Sequence, residues 1–477
     1  MSISINGSTG ISGVNGSAAA PAIKGEDGDS GIFFGTNEAA ITTGGTQRLT
    51  IDSTGAATFS STVKTSKIEN ANTTNGGVEI DSDGHVQVDG LQLPTDGSFG
   101  YRNLVYNGAC VIDQRGSTQI VSNATGAAYS VDGFQYSLRS GSIGADEYVS
   151  DFEQSNEAPT GFQNSLKITC TTAETAVEND EYYYLRHQIE SDHLTRLKWG
   201  TADAKPLTVT FWVKSTVTGT FGFCSYATLG SARVFNSSYT INSANTWEKK
   251  TIVIPGDTGY VPQFNPAYSL WLVWHLAIGS LHNTAPANTS WAAYTTNNWG
   301  GGLHAVNDLV TTVNSEFYLT GVQCEVGDKA TEFEHLTVEE YLARCNRYFY
   351  NPLYKTSQFA IYPITYVTAS NSANIGWFVF QVDFPVAMRV EPTFTTDIAN
   401  ANQIGSAPVG VDNANWTFYR QNAAYIGGRV GTSDANVINS GATLTHANVG
   451  AYYISPDQEA SGIIIGNGMK FQFSAEL

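Results

Sequence analysis

Few groups of residues in this sequence have the residue types and spacing that catalysis or metal binding requires. Residues 28–31 read Gly-Asp-Ser-Gly, a tetrapeptide found around serine nucleophiles. A nucleophilic serine needs a rigid turn, a base and an oxyanion hole. Ser30 instead lies in a glycine-rich segment without a packed frame, so the sequence favours a turn over a catalytic serine.

Two other groups raise the question of a metal ion. Asp81-Ser82-Asp83-Gly84 looks like half of a calcium loop, but the later ligands and the closing glutamate are missing, so a hairpin turn is favoured. His275, His282 and His304 fall within 30 residues, but their spacing matches no helical or compact zinc pattern. The sequence therefore predicts no metal ion and no other cofactor.

One group could perform acid–base catalysis, since His187 and His193 stand among Glu181, Glu190 and Asp192. Such groups are also common on solvated faces, and nothing in the sequence makes these side chains converge on a cleft. We therefore expect no catalytic residues and no enzymatic activity. The enzymatic alternative is cleavage of a polysaccharide, which needs two carboxylates in one groove. The long β-helix repeats common in such enzymes are also not found in this sequence.

Aromatic residues are concentrated in residues 260–299, and flat aromatic faces stack on the C–H faces of sugar rings. Trp271 and Trp274 fall in an apolar run and are predicted core residues. Trp291, Tyr294 and Trp299 lie in a polar loop and are candidate glycan-binding residues. The cluster comprises Tyr260, Phe264, Tyr268, Trp271, Trp274, Trp291, Tyr294 and Trp299.

A second candidate glycan-binding stretch covers residues 413–429. It is rich in turn-forming and aromatic residues, although strand packing is the favoured role of Trp416 and Tyr419 taken singly. The candidates in this stretch are Asn413, Trp416, Tyr419, Arg420 and Tyr425.

The elements that must position these residues are mostly β-strands. Only 14% of the 477 residues are charged, and the chain contains 24 Tyr, 23 Phe and 9 Trp, which favours short strands with polar turns. Strands are predicted at residues 207–213, 246–254, 270–278 and 317–326, spaced as in a β-sandwich. Further strands after residue 351 suggest a second, smaller β-domain.

The sequence predicts one amphipathic helix, in residues 336–350. Thr337 and Glu340 form a capping box at its start. An apolar stripe must be buried at a trimer or domain junction, either around an axis shared by three chains or against the base of the chain's own distal domain. The stripe consists of Val338, Tyr341, Leu342, Cys345, Tyr348 and Phe349.

Charge and hydropathy exclude several function classes. The formal net charge of −19 argues against a nucleic-acid binder, which needs a basic face.

The five cysteines are scattered without metal-binding spacing and are expected to be free thiols. The start of the chain shows no signal peptide. The most apolar run, residues 270–278, is shorter than the ~18 residues of a membrane span, so no membrane insertion is expected.

The N-terminal part divides into an arm and a thin β-region. Residues 1–35 are rich in Gly, Ser and Ala, so this arm is expected to be flexible or ordered on a partner. Residues 36–98 carry an apolar face that is too thin to close a core alone, so we predict a homotrimeric β-shaft, with a loose linker as the alternative. The residues of this face are Leu49, Ile51, Val78, Ile80, Val86 and Val88.

Several motifs together resemble those of phage tail-fibre proteins. Residues 321–349 look like the segment that ends a jelly-roll module and starts the distal one in that family. Asp113 stands where the family usually has Trp, and Gly133-Phe134 where it has Arg-Trp. The other similar segments are 103–108, 113–116 and 129–134 at the module's opening, 384–389 with Pro392-Thr393 in the distal domain, and 7–25 and 48–55, which resemble fibres of phages of marine cyanobacteria.

The resemblance implies a receptor-binding tail fibre of a bacteriophage virion, made in the host cytoplasm. Its N-terminus would attach to the virion tail or an adaptor protein, and its C-terminal domains would bind a host surface polysaccharide during host attachment. The alternatives are a polysaccharide-degrading tailspike and a purely structural tail spacer. The implied domains are a tail-attachment arm (1–35), a β-shaft (36–98), a jelly-roll carbohydrate-binding-like domain (99–335), a connecting helix (336–350) and a distal β-sandwich receptor-binding domain (351–477).

Overall fold

The chain forms two compact units, Met1–Leu93 (unit 1) and Pro94–Leu477 (unit 2), both built of β-sheets. The prediction of an all-β protein is confirmed. Within the described part, no helix is both long and apolar enough to cross a membrane. The computed structural model describes residues 4–6, 10–12, 15–61, 67–69, 77–80, 86–88, 91–92, 101–116, 118–122, 125–139, 148–228, 231–259, 269–284, 290–302, 304, 308–352, 354–355, 358–361, 363–368, 376–390, 392–397, 416–421, 425–430, 463–466 and 470–476.

Unit 1 consists of short antiparallel strands joined by tight turns. Gly31–Gly35 and Glu38–Thr43 form one hairpin across residues 35/36, the predicted boundary between arm and shaft. The division into an arm and a shaft stays a prediction. A five-stranded sheet has the order β5-β6-β7-β8-β9, and β10 to β13 form a four-stranded sheet. The described strands are β1 (Ser4–Asn6), β2 (Gly10–Ser12), β3 (Gly16–Ser17), β4 (Ala20–Pro21), β5 (Ile23–Lys24), β6 (Gly31–Gly35), β7 (Glu38–Thr43), β8 (Thr46–Ile51), β9 (Ala57–Phe59), β10 (Lys67–Glu69), β11 (Gly77–Ile80), β12 (Val86–Val88) and β13 (Leu91–Gln92).

One face of the five-stranded sheet carries an apolar ladder that crosses every strand. The register pairs Ile23 with Ile32, Ile32 with Ile41, Ile41 with Leu49, and Leu49 with Phe59. Apart from half-buried Leu49, these side chains are exposed, Ile41 by 43% and Phe59 by 51%. Of the face predicted from the sequence, only Leu49 belongs to this ladder, whereas the four predicted valine and isoleucine positions after residue 77 lie on β11 and β12 of the four-stranded sheet. The ladder is uncovered within the described part of unit 1.

Unit 2 begins with a two-layer β-sandwich. The predicted strands at 207–213, 246–254, 270–278 and 317–326 are confirmed as β20, β23, β24 and β26. The six-stranded sheet has the order β14-β17-β18-β26-β20-β23, and the seven-stranded sheet the order β15-β16-β19-β24-β21-β22-β25. The strands are β14 (Gln119–Ser122), β15 (Ala127–Tyr129), β16 (Phe134–Arg139), β17 (Val149–Ser155), β18 (Ser165–Thr172), β19 (Tyr182–Glu190), β20 (Leu207–Ser215), β21 (Gly219–Ala227), β22 (Arg233–Ile241), β23 (Glu248–Ile254), β24 (Ser269–Ile278), β25 (Ala292–Ala293) and β26 (Glu316–Val326).

The core lies between these two sheets, because alternate side chains of each strand point inward. Phe211 of β20 meets Trp274 of the other sheet, with 5.6 Å between the ring centroids, and Phe317 of β26 meets Phe221 at 6.0 Å. All four side chains are fully buried. Trp274 is therefore a core residue, as predicted. Short helices connect the strands: the 3₁₀ helices Ser191–Leu197, Ser280–His282 and Thr296–Asn298, and α1 (Asp308–Thr311).

The amphipathic helix is present as α2 (Val338–Asn346). The predicted capping box is confirmed: the Glu340 amide donates to the Thr337 hydroxyl (3.3 Å), and the Thr337 amide donates to the Glu340 carboxylate (2.9 Å). The helix is shorter than the predicted 336–350. Its continuation is prevented because Phe349 and Tyr350 form β27, whose backbone pairs with the last strand of the chain.

The apolar stripe of α2 packs on the opening segment of the same unit. Tyr341, Cys345 and Tyr348 are at most 3% exposed and contact Tyr106 and Ile112, with half-buried Leu342 beside them. The rings of Tyr106 and Tyr348 stack at 4.0 Å and 9°. Neither surface named from the sequence buries these residues, and their burial needs no second chain.

The two ends of the stripe differ from this central part. Val338 is 43% exposed, whereas Phe349 is 4% exposed and lies beneath a guanidinium group, with 3.7 Å between the Arg115 Cζ and the ring centroid. The stripe therefore lies where the sandwich meets the strands that follow it, and its role as a trimer or domain junction stays a prediction.

The C-terminal part of unit 2 contains three small antiparallel sheets, with the orders β27-β35-β31, β28-β34 and β29-β30-β33-β32. The first of these sheets contains both β27, which directly follows α2, and β35, at the end of the chain. Its strands are β27 (Phe349–Tyr350), β28 (Gln358–Ile361), β29 (Pro363–Thr368), β30 (Gly376–Asp383), β31 (Thr393–Asp397), β32 (Trp416–Gln421), β33 (Tyr425–Val430), β34 (Ile463–Gly466) and β35 (Lys470–Ser474).

Candidate functional site

The Gly-Asp-Ser-Gly stretch is a turn between β5 and β6. The Ser30 hydroxyl donates to the Asp27 carboxylate (2.7 Å) and accepts from the Gly44 amide (3.1 Å). Both hydrogen-bonding functions of this hydroxyl thus serve the turn. The Asp81–Gly84 stretch lies outside the described residues. Among the residues that the structure describes, no three His, Cys, Asp or Glu side chains are grouped to hold a metal ion.

The three histidines considered as a metal group, His275, His282 and His304, have structural surroundings. His275 is fully buried, with its ring 5.7 Å from that of Trp299. The His304 Nδ1 accepts from the Gly222 amide (3.0 Å), and the His282 ring lies between the carbonyl oxygens of Thr296 (3.0 Å) and Asp180 (3.1 Å). These contacts fasten the chain that follows β24 onto the seven-stranded sheet.

The possible acid–base group does not assemble. His187 is fully buried between the rings of Tyr106 and Phe134, whereas His193 lies on the surface. Glu190 forms a two-pronged ion pair with Arg347 (2.7 and 2.8 Å). The side chains are therefore committed to packing and pairing.

The three candidates of the polar loop have different environments. Trp291 is 8% exposed, belongs to the main core, and donates its indole N–H to the Pro255 carbonyl (2.7 Å). Trp299 is 5% exposed and lies at the centre of a second aromatic cluster. Tyr294 is half-buried at the edge of that cluster. As a correction to the sequence interpretation, only Tyr294 of the three presents appreciable surface to a ligand.

The second cluster covers the outer face of the seven-stranded sheet. Four half-buried aromatic residues surround the Trp299 ring, with centroids 5.1 to 6.4 Å away. Trp299 is too buried for a ligand platform, so it supports the others. We call these four residues the aromatic face: Tyr182, Tyr226, Trp271 and Tyr294.

The strand register assembles this face. Trp271 of β24 pairs with Tyr226 of β21, and their rings meet edge-on at 5.0 Å. Each is adjacent in sequence to an inward-facing residue, Leu272 beside Trp271 for example, because side chains alternate along a strand. Trp271 is therefore an outer-face residue and not part of the main core, contrary to the sequence prediction.

Arg186 supplies hydrogen-bond donors beside the aromatic face. Its guanidinium carbon lies 3.9 Å from the centroid of the Trp271 ring, and the same side chain is hydrogen-bonded to Tyr129. A guanidinium held flat against an indole keeps its N–H groups at the ring edge. Apolar ring faces and fixed donors next to them are what a sugar needs, since a sugar has C–H faces and hydroxyl edges.

The junction between the sandwich and the last strand contains a buried polar network. Gln114 donates to the Asp132 carboxylate (2.7 Å) and to the Phe349 carbonyl (2.6 Å). Arg115 pairs with Glu476 (3.0 Å) and lies 3.6 Å from Asp132. The segment 113–116, which resembles the opening motif of tail-fibre modules, thus holds the two ends of unit 2 together.

Three buried titratable groups make the stability of unit 2 depend on pH, and the two histidines act in the opposite direction to the aspartate. Burial lowers the pKa of His187 and of His275 to about 3 and raises the pKa of Asp132 to about 7, against the opposing effect of Arg115. The histidines stabilise the fold above about pH 6.5, and this is lost as pH falls. Asp132 stabilises it below about pH 4, and this is lost as pH rises through about 7.

We predict that unit 2 loses stability on acidification from pH 6.5 to 4.5, and that Asp132→Asn steepens this loss. Each group changes the free energy of unfolding by at most about 1.4 kcal/mol per pH unit. On acidification the two histidines lower this free energy, and Asp132 raises it. Urea unfolding at several pH values measures both slopes. A variant slope equal to that of the unmodified protein would show that Asp132 is already ionised in this range.

The second candidate stretch forms a hairpin of two strands. Trp416, Tyr419 and Arg420 lie on β32, and Tyr425 lies on β33, which pairs with both β32 and β30. Asn413 lies outside the described residues. The stretch is thus largely strand, in keeping with the favoured role of Trp416 and Tyr419.

Sequence reasoning did not identify three important residues, Tyr182, Arg186 and Tyr226. The alternation in β19, Tyr182-Tyr183-Tyr184-Leu185-Arg186, would have indicated two faces. What it could not indicate is which strand lies beside β19, and therefore that Arg186 meets Trp271.

No family model and no curated protein sequence matches the chain. Solved structures match parts of the chain with low sequence identity and low TM-scores. The bacteriophage CBA120 tailspike protein 4 enzymatically active domain matches 47% of this chain with 13% identity and a TM-score of 0.26, and the match spans only 22% of that chain.

Two further structures are matched over nearly their whole length. A putative sugar binding protein from Bacteroides thetaiotaomicron is 11% identical over 47% of this chain and 100% of its own, with a TM-score of 0.24. A family 11 carbohydrate-binding module from Clostridium thermocellum is 14% identical over 46% and 98%, with a TM-score of 0.21. The chain is thus similar to phage-tailspike and carbohydrate-binding structures only at this distance, and its ligand must be argued from its own residues.

Proposed function

We propose that the chain is a non-enzymatic, glycan-binding tail fibre whose sandwich binds sugar on the aromatic face. The observation that carries the proposal is the arrangement of Tyr226, Trp271 and Tyr294 around a buried Trp299, with Arg186 held at the edge. An aromatic cluster outside the main core, with surface on each outer member, suits a ligand that has both apolar faces and polar edges.

The electrostatics of the whole chain support contacts of this kind. With a net charge of −19, the protein is repelled as a body from an anionic cell surface, so association by general charge attraction is excluded. Stacking and hydrogen bonds on a defined face do not depend on net charge. Several copies of one weak site would then give avidity through a high effective concentration.

Incubation of the purified chain with polysaccharides from candidate host envelopes tests the binding function and its alternative together. The proposal predicts retention on at least one immobilised polysaccharide, with the soluble polymer unchanged in length. Shortened chains would show a depolymerase. Absence of binding to any envelope polysaccharide would favour the structural spacer.

The tail location belongs to the same proposal and rests on the resemblance of the motifs in residues 7–25, 48–55 and 321–349 to tail-fibre proteins. In this account unit 1 attaches to the virion tail and unit 2 meets the host. Antibodies against unit 2 should block adsorption of the virion, and virions that adsorb equally well with such antibodies bound would contradict this assignment.

We further propose that unit 1 self-associates through the apolar ladder, as expected for a homotrimeric shaft. An exposed ladder of isoleucine, leucine and phenylalanine gains free energy when identical faces meet, because each covers apolar area on the others. The ladder crosses all five strands, so the contact would be continuous.

Ile41→Lys is expected to convert the trimer to monomers, because it places a charge at the centre of the ladder. Thr58→Lys is the matched control, since Thr58 is exposed on the other face of the same sheet. Size-exclusion chromatography with light scattering gives the mass of each. A monomeric unmodified protein, or an Ile41→Lys trimer, would contradict the shared ladder.

A further inference from the structure

We propose that unit 2 has a second ligand site, separate from the aromatic face, which binds an oxyanion-bearing sugar such as a uronic acid or a sugar sulfate. The site is a pocket of about 480 Å³ between the 3₁₀ helix Ser191–Leu197 and α2, closed on one side by the segment that starts at Tyr101. This volume falls within the usual range of small-molecule sites. We call it the basic pocket.

Three arginines line the basic pocket, although the chain as a whole is strongly acidic. Arg347 is neutralised by its two-pronged pair with Glu190, which also fixes its position. Arg344 and Arg196 have no such buried carboxylate partner among the described residues. Among the described residues that line the pocket, Asp192 has the only carboxylate, and it is exposed to solvent.

Arg196 is the strongest indication of a ligand. Both of its terminal nitrogens point to a single acceptor, the Tyr101 carbonyl, at a long 3.4 Å, and its Nε is buried without a hydrogen-bond partner in the described structure. Burial lowers the pKa of Arg196, and Cys324 and Glu334 oppose this effect. A half-buried guanidinium whose donors are poorly satisfied gains from an oxyanion, which can accept two parallel hydrogen bonds.

The mouth and the floor of the pocket suit a sugar ring attached to that oxyanion. Tyr101 is 75% exposed, and the Arg344 guanidinium carbon lies 5.2 Å from its ring centroid, so an aromatic face and a cation stand together at the entrance. The stacked rings of Tyr106 and Tyr348 form part of the interior. Asn103 and Thr195 add polar atoms to the wall.

The basic pocket therefore selects its ligand by charge as well as by shape. A neutral sugar would leave Arg196 with the Tyr101 carbonyl as the acceptor of its terminal nitrogens, whereas a carboxylate or a sulfate ester supplies a charged acceptor. This inference does not rest on the aromatic face. It gives a net-acidic protein a local means of recognising an acidic polysaccharide.

Ligand-observed NMR titrations of the full chain test the proposal with three probes: methyl β-D-glucuronide, D-glucose 6-sulfate and methyl β-D-glucoside. We expect at least one anionic probe to bind at least about tenfold more tightly than the neutral glucoside, and to weaken as NaCl is raised. Binding of only the glucuronide restricts the site to carboxylates, and binding of only the sulfate restricts it to sulfate esters. Equal binding of neutral and anionic probes would overturn the proposal.

Variants locate the binding. We expect Arg344→Gln and Arg196→Gln each to lower the affinity for the anionic probe at least about fivefold. Arg344 lies on the half-exposed face of α2. Lys249→Gln removes the same charge at an exposed position of β23 and should leave the affinity unchanged. A folded Arg344→Gln variant with full affinity would overturn the proposal. So would loss of glucuronide binding in Trp271→Ala, because it would move the ligand to the aromatic face.

Discussion

Gly108→Ala is expected to destabilise unit 2 by about 3 kcal/mol or more. A Cβ atom at this position would lie 2.0 Å from the Val322 carbonyl oxygen and 3.2 Å from the Asn103 Nδ2. The Val322 oxygen belongs to the backbone of β26 and accepts a hydrogen bond from the Asn103 Nδ2, while the Val322 amide donates to the Gly108 carbonyl (2.9 Å), so the two backbones are held together at this point. Overpacking against backbone is among the few single changes with effects of this size.

Urea unfolding followed by tryptophan fluorescence measures this change. Gly259→Ala is the matched control, because a Cβ there meets only side-chain atoms at ordinary contact distances of 3.6 and 3.7 Å. The control should lie within about 0.5 kcal/mol of the unmodified protein. If both variants were equally stable, the opening segment 103–108 would not pack against β26 as described.

The second large effect concerns binding. Trp271→Ala should weaken glycan binding at least about 30-fold, because it removes an aromatic contact and leaves Arg186 without the ring that holds its guanidinium. The fold should survive, since Trp271 lies outside the main core. Affinity electrophoresis in gels containing the retained polysaccharide measures the loss.

Trp212→Ala is the control for this experiment. Trp212 is also half-buried and lies on the outer face of the six-stranded sheet, so the same side chain is removed from the opposite surface. Its affinity should equal that of the unmodified chain. Equal loss in both variants would indicate a general effect on stability, and no loss in Trp271→Ala would remove the aromatic face from the proposed function.

Elements with strong local signals were predicted well from the sequence. The capping box at Thr337 and Glu340 and the strands β20, β23, β24 and β26 follow from spacing that a few neighbouring residues determine. The length of α2 was not predicted correctly from local spacing. Phe349 continues the helical pattern, but its backbone pairs with Ser474, which is 125 positions further along the chain. Local periodicity contains no information about such a partner.

The candidate site was predicted only in part, for the same reason. Composition placed an aromatic cluster near residues 260–299, but which members are exposed depends on how the loop folds back. The His282 and His304 contacts bring Trp299 under its neighbours, so a tryptophan in a polar loop became buried support. Tyr226 and Arg186 join the face through strand order, which spacing does not reveal.

Residue 133 shows how a departure from a family pattern can be structural. Gly133 has φ of +86°, and a Cβ there would lie 2.7 Å from the ring of Tyr106. An arginine, which stands at this position in the pattern that the opening motif resembles, would clash here. The same contact places Tyr106 against Tyr348 and hence positions α2.

The contacts between the sandwich and the last strand also affect which experiment can tell apart binding by the sandwich and binding by the C-terminal sheets. Removal of residues 351–477 would delete β35 and Glu476, which pairs with Arg115, and would uncover Phe349. Loss of binding after such a truncation could arise from either part of unit 2. Single substitutions on the aromatic face separate the possibilities more cleanly.

The most direct test of the central claim is a ¹⁹F NMR spectrum of the chain labelled with 5-fluorotryptophan, recorded with and without the polysaccharide that it retains. Trp271 and Trp274 lie on the same strand and face opposite sides of the seven-stranded sheet, and single Trp→Phe variants assign their resonances. If the aromatic face binds the glycan, the Trp271 resonance shifts on binding and the Trp274 resonance does not. A spectrum in which Trp271 stays unchanged while Trp416 shifts would contradict it and place the glycan on the C-terminal sheets.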